Sequence, residues 1–142
     1  MKLEIINGTK NRLPGKLLRE LFNTVVGGEA EAKWRGTINI VFVNDRRMQS
    51  LNKKYRRLNR PTDVLSFNLE RPEKDGSIFG ELYISCQAAK RQANEQQVTL
   101  VDEYLRLCCH GLLHLFGYDH KKAAEAAAMR KKEEWYLNCR LG

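Results

Sequence analysis

The alternation of apolar and polar positions predicts a regular succession of elements. "LEIIN", Leu3 to Asn7, is an apolar run of strand length and reads as a first strand. Pro14 then opens a helix whose Leu17, Leu18, Leu21, Phe22 and Val25 recur at helical spacing, and Gly27-Gly28 is expected to stop it. "TINIVFV", Thr37 to Val43, is rich in β-branched residues and predicts a central strand. Asn44 or Asp45 can cap the following helix, with Met48, Leu51 and Tyr55 toward the core.

Pro61 ends that region, and "DVLSF" resumes an extended conformation. "RPEKDGS", residues 71–77, carries turn signals, so "DVLSF" and "GELYIS" should flank a loop between neighbouring strands. Ser85 can cap a helix running to about Gln97, and Thr99 with Asp102 resembles a capping box for the next. Leu105, Cys108, Cys109, Leu112 and Leu113 make that helix largely apolar and predict its burial. "KAAEAAAMRKKEEWYL" has the intrinsic propensity of a last helix. The order βαβαββααα predicts one α+β domain over residues 1–142, a small mixed sheet packed with helices in αβα layering.

Composition narrows the class. With 42% hydrophobic and 30% charged residues, a disordered chain is excluded. No apolar stretch is long enough to span a bilayer, and "MKLEIINGTK" lacks a signal-peptide pattern, so a cytoplasmic location without membrane partners is expected. The four cysteines form no CxxC pair. On a helix Cys108 and Cys109 point about 200° and 100° away from His110, so they read as small core residues rather than ligands. The net charge of +8 favours a polyanionic partner such as RNA, DNA or an anionic surface. Seven basic residues against one acid lie between Asp45 and Arg60, whereas "MRKKEEW" is balanced by its own glutamates.

The candidate chemistry sits in "HGLLHLFGYDH", which holds all three histidines of the chain. His110 and His114, four residues apart on a helix, lie about 40° apart on one face and roughly 6 Å apart along the axis. His120 would face away if the helix continued, but Gly117 suits a left-handed residue that ends it and turns the chain back. Helix, stop and third ligand therefore follow in the order a metal site needs. Three imidazoles suit Zn²⁺, although Ni²⁺ or another divalent ion also accepts such ligands. Three protein ligands leave a fourth position for water, the pattern of a catalytic site. Closure of the shell by Asp119 or a cysteine would make the site structural instead, but Asp119 more easily orients a ring from behind.

The spacing HxxxHxxGxxH also matches metzincin proteases, which carry a general-base Glu directly after the first histidine. Here that position is Gly111, which cannot move a proton. "LNKKYRRLNRPTDVLSF", "GELYIS" and "HGLLHLFGYDH" together resemble, in order and spacing, the YbeY family of metal-dependent endoribonucleases, also called rRNA maturation factors. The resemblance covers about residues 38 to 122. It implies a metal-dependent hydrolase domain with zinc on His110, His114 and His120, an arginine beside the metal matching Arg56, and single-stranded RNA as substrate. It further implies work on ribosomal RNA and the small ribosomal subunit, with no DNA partner expected. Two positions depart from the family pattern: Asn59 stands where an Asp is usual, and "GDI" reads "GEL", with Glu81 keeping the acid.

The chemistry of phosphodiester cleavage fits that implication. Charge develops on nonbridging oxygens, and a zinc ion with a guanidinium can stabilise it. Arg46, Arg47, Lys53, Lys54 and Arg57 would track an RNA backbone. Tyr55 and Tyr118 are candidates for base stacking, with buried packing favoured for Tyr55. Thr62, Asp63 and Ser66 lie where polar groups face the site or make turn hydrogen bonds. Attack by metal-bound water and attack by the ribose 2′-hydroxyl fit the sequence equally. A non-enzymatic RNA- or ribosome-binding factor with a structural zinc is the alternative from another class.

Overall fold

The computed structural model describes residues 1–31, 34–68 and 78–139. Its elements are β1 (Lys2–Asn7), α1 (Gly15–Glu29), β2 (Thr37–Val43), α2 (Asp45–Arg56), β3 (Val64–Asn68), β4 (Ile78–Ser85), α3 (Cys86–Gln96), α4 (Leu100–Leu115) and α5 (Ala123–Cys139). The strands form one sheet in the order β1-β2-β4-β3. β1 runs parallel to β2 and β2 to β4, while β3 lies antiparallel at the edge, so the sheet is mixed.

Side chains alternate across the central strands, which gives each face its own core. Ile38, Ile40, Phe42, Leu82 and Ile84 enter the main cluster with Leu18, Leu21, Phe22 and Val25 of α1 and the apolar positions of α4. Val41, Val43, Leu65, Phe67 and Tyr83 meet Met48 and Leu51 of α2 on the opposite face. Helices therefore cover both faces, and the αβα layering expected from the element order is present.

Local chemistry fixes the helix starts. Asn44 accepts the Arg47 amide at 2.9 Å, Ser85 the Ala88 amide at 3.1 Å and Thr99 the Asp102 amide at 3.0 Å. Each satisfies an amide that the first turn leaves without a partner. The Ser85 hydroxyl also donates to Asp45 at 2.7 Å, and Arg91 reaches the same carboxylate at 2.6 Å, tying the start of α2 to α3. The Arg91 guanidinium and the Ser85 hydroxyl outweigh partial burial and hold the Asp45 carboxyl below its ordinary range.

Two expectations are corrected, and one gains a second role. α1 ends at Glu29, directly after Gly27-Gly28 as expected. Gly28 serves close packing, because a Cβ there would collide with the Tyr136 hydroxyl from α5. α2 ends at Arg56, before Pro61, with Arg57 in the left-handed region at φ 57°. Tyr55 is not a core residue: it is 54% exposed, its ring meeting Phe67 of the edge strand β3 edge-on rather than entering either core cluster. Of the cysteines, Cys86, Cys108 and Cys109 are buried and Cys139 is exposed. The turn expected at 71–77 lies outside the described residues. No helix among the described residues is long and apolar enough to cross a membrane.

Candidate metal centre and cleft

α4 is buried on most of its circumference, yet Glu103, Arg106, His110 and His114 recur at three- and four-residue steps. That spacing places them in one polar stripe along an otherwise apolar helix. The stripe ends in a tight C-cap. The Tyr118 amide donates to the Leu113 carbonyl at 3.0 Å and the Gly117 amide to the His114 carbonyl at 3.1 Å. This is the paired pattern of a Schellman turn, and Gly117 supplies its positive φ of 103°. The chain reverses there and brings His120 back, as the sequence predicts.

The ligand atoms of His110, His114 and His120 all lie within 4.8 Å of one another. His120 Nδ1 stands 3.1 Å from His114 Nε2. Two nitrogens of one tetrahedral zinc, each at about 2.0–2.1 Å, would stand roughly 3.3 Å apart, so the separation fits a shared ion. His110 Nδ1 is taken by the Glu133 carboxylate of α5, which leaves Nε2 of that ring for a metal. Burial, with the neighbouring His110 and His120, pushes the His114 imidazole below its ordinary value, toward the neutral form a metal requires. Among the described residues no carboxylate or thiol joins this group, so the three imidazoles are the side chains that could hold an ion there.

Asp119 accepts the His120 amide at 2.7 Å, and this hydrogen bond leads the causes that lower its carboxyl. It ties the backbone of the turn that carries His120 and is not one of the three side chains that could hold an ion. Cys109 is buried near the Glu133 charge, which together push its thiol up to about 12, and buried Cys108 is raised further. Both therefore remain neutral thiols of the core. Gly111 shows why no glutamate stands after His110: a Cβ there would lie 2.9 Å from a Leu82 methyl and 3.3 Å from Val64. The position faces the sheet, so a proton-transferring side chain has no room.

A cleft of about 690 Å³ is lined by the three histidines together with Arg56, Arg60, Thr62, Asp63 and Ser66. Arg56 donates to the Ser66 carbonyl at 3.2 Å and lies over the Phe67 ring at 5.8 Å, so its guanidinium is held at the rim of the same cleft as the histidines. The buried Asn52 donates to the Arg60 carbonyl at 2.9 Å and fastens the return segment after α2. Arg46, Arg47, Lys53, Lys54 and Arg57 are all exposed. Asp63 and Ser66 line the cleft but spend their polar atoms within the fold. Asp63 accepts from the Val64 amide and the Gln92 side chain, and the Ser66 hydroxyl donates to the Gly111 carbonyl. Asn59 accepts from Gln49 and Glu81 from Asn39; neither residue is among those lining the cleft.

Two acids of the site escape sequence reasoning. Glu133 sits in "KKEEW", where equal numbers of lysine and glutamate suggest only a solvated face, and its link to His110 spans 23 residues. Glu29 lies at the end of α1, beyond the expected stop. It accepts from Tyr118 at 2.8 Å and from Tyr136, and pairs with Lys132 at 3.4 Å. Burial raises its carboxyl, but the two phenols and the ammonium lower it more. Through Tyr118 this cluster anchors the turn that carries His120, and burial together with that bond raises the Tyr118 phenol to about 12. A pattern of helix, stop and aromatic-acid pairs would have signalled it only with the fold in hand.

The fold and site together define an α+β protein that carries a three-nitrogen group able to hold a metal ion, set in a cleft that Arg56 and Arg60 also line. The profile of the family Endoribonuclease YbeY matches residues 4–140, and the chain belongs to that family. It is 43% identical over 116 residues to an endoribonuclease YbeY of Pelotomaculum thermopropionicum, covering 78% of this chain and 72% of that one. An endoribonuclease YbeY of Chloroherpeton thalassium is 35% identical over 138 residues, 96% and 94% of the two chains. The solution structure of TM1509 from Thermotoga maritima superposes with a TM-score of 0.66 at 29% identity, covering 95% of this chain and 86% of that one.

Proposed function

We propose that the protein is a zinc-dependent, single-strand-specific endoribonuclease acting in ribosomal RNA maturation in the cytoplasm. The observation that carries this reading is the convergence of His110, His114 and His120 within a cleft that Arg56 also lines. Membership of an endoribonuclease family supports RNA as the substrate, and the net charge of +8 favours a polyanion. A zinc ion, when bound, supplies Lewis acidity and positive charge at the scissile phosphate.

The chain's own residues supply the rest. The three imidazoles would hold the ion, and Glu133 would fix the tautomer of His110 so that Nε2 points at it. Arg56 carries a planar fork of donors that matches nonbridging phosphate oxygens. Its bond to Ser66 and its place over Phe67 restrict it before substrate arrives, which limits the entropy lost on binding. Arg46, Arg47, Lys53, Lys54 and Arg57 would attract the backbone without reading sequence. The lack of a fourth protein ligand among the described residues favours this reading over a binding factor with a structural zinc.

The test is cleavage of a defined single-stranded RNA by purified protein, beside His114→Ala, Arg56→Ala and Arg56→Lys. Loss of a transition-state donor costs about 10²–10³ in rate, so Arg56→Ala should fall by that factor and His114→Ala at least as far. Equal activity in all four proteins would remove the enzyme assignment. Elemental analysis should give about one zinc per chain, lost in His120→Ala.

A further inference from the structure

A basic cleft explains how a phosphate backbone is drawn in, but it does not place a base. The segment Lys53 to Arg57 holds four cations, all exposed, around a single aromatic residue. That residue is Tyr55, at 54% exposure one of the most open large apolar side chains in the molecule. Its ring is open yet braced. Phe67 meets it edge-on at 5.2 Å and 61°, and Tyr83 braces Phe67 in turn at 5.8 Å and 76°. The Lys54 ammonium sits over the Tyr55 ring at 5.1 Å. The same Phe67 carries the Arg56 guanidinium on the side of the cleft. One aromatic row thus links an open tyrosine to the arginine that lines the cleft with the histidines.

We propose that Tyr55 is a stacking site for one nucleobase of single-stranded RNA, seating the strand where it leaves the cleft past Arg56. The proposal rests on RNA being the partner and deepens that reading by assigning a base subsite. An aromatic ring that is rigid and solvent-facing offers a base its π-face with little ordering cost, and stacking tolerates any base. Lys54 is an exposed, flexible cation over that ring, so a base displaces only a weak contact and frees the ammonium for the adjoining phosphate. Charge selects the occupant. An apolar peptide would leave Lys53, Lys54 and Arg57 facing no counter-charge, whereas each nucleotide brings one. Tyr118, the other aromatic candidate, is a strut, its hydroxyl held by Glu29 and its ring packed on the main core.

The experiment reads binding without cleavage. A fluorescent single-stranded 2′-O-methyl oligoribonucleotide is titrated by anisotropy into the full chain, Tyr55→Ala, Tyr55→Phe and Tyr55→Trp. Tyr55→Ala should weaken binding on the order of tenfold, while Tyr55→Phe and Tyr55→Trp stay within about twofold of the parent. Moving one abasic residue along the oligonucleotide should find a position that weakens the parent equally and costs Tyr55→Ala nothing more. The salt dependence should be unchanged in Tyr55→Ala, because no phosphate contact is lost. Unchanged affinity in Tyr55→Ala, or an abasic penalty that adds fully to it at every position, would overturn the stacking site. RNA binding with these effects but no cleavage of unmodified RNA sinks the nuclease reading and leaves the stacking site standing. Absence of any binding sinks both.

Discussion

Glu133→Ala separates a ligand-supporting carboxylate from an ordinary surface acid. The Glu133 and His110 side chains are 15% and 24% exposed, and the carboxylate holds Nδ1 of the ring. Without it the imidazole can rotate, can protonate the wrong nitrogen and becomes a poorer donor through Nε2. Loss of such a partner typically costs 10–100-fold in metal affinity, which is about 1.4–2.7 kcal/mol. Glu133→Gln keeps a hydrogen-bond acceptor but not the charge, so it should fall near the lower end of that range. The assay is competitive zinc titration against a chromophoric chelator at pH 7.5. Thermal unfolding with and without zinc gives a second readout. Zinc far above both dissociation constants stabilises the variant less by the same energy, which for a chain of this size narrows the zinc-dependent Tm rise by roughly 4–10 °C. Equal zinc affinity and equal Tm rise in Glu133→Ala and the parent would refute the role.

Other substitutions probe the packing and the electrostatics around that site. Gly111→Ala puts a methyl 2.9 Å from a Leu82 methyl and should destabilise by about 1–3 kcal/mol, whereas Gly27→Ala meets nothing within 4 Å on an exposed helical turn and should stabilise by about 0.5–1 kcal/mol. Urea midpoints check both, and a Gly111→Ala protein as stable as the parent contradicts the tight contact between α4 and the sheet. Glu29 titrates below its ordinary 4.5 in the folded protein, so its stabilisation is complete above that pH and fades as pH drops through the lower folded value. The stability gap between the parent and Glu29→Gln should therefore shrink between about pH 6 and pH 3 in a urea series; a constant gap means the carboxylate is not paired.

The element order was legible because each strand and helix carries its own local code. β2 matches its β-branched run residue for residue, and Asn44, Ser85 and Thr99 cap the helices they precede. The histidine geometry was legible for the same reason, since helical spacing and one glycine determine it. What failed depends on contacts distant in sequence. Gly28 reads only as a helix stop by propensity, yet it also leaves room for Tyr136 of α5, a contact no local pattern reveals. Tyr55 has core spacing relative to Leu51, but the sheet ends beneath it, and no periodicity reveals where a sheet ends. Glu133 and Glu29 gain their roles only from partners 23 and 89 residues away.

The position of Glu133 on α5 also bears on the order in which the site is completed during synthesis. A nascent chain that has emerged only as far as His120 has its three imidazoles but nothing to lock the first of them. On the proposed reading, the three imidazoles would hold an ion firmly only once the following helix has been made and has docked against α4. Timing of this kind would leave such a centre weakly loaded while the chain is still on its ribosome.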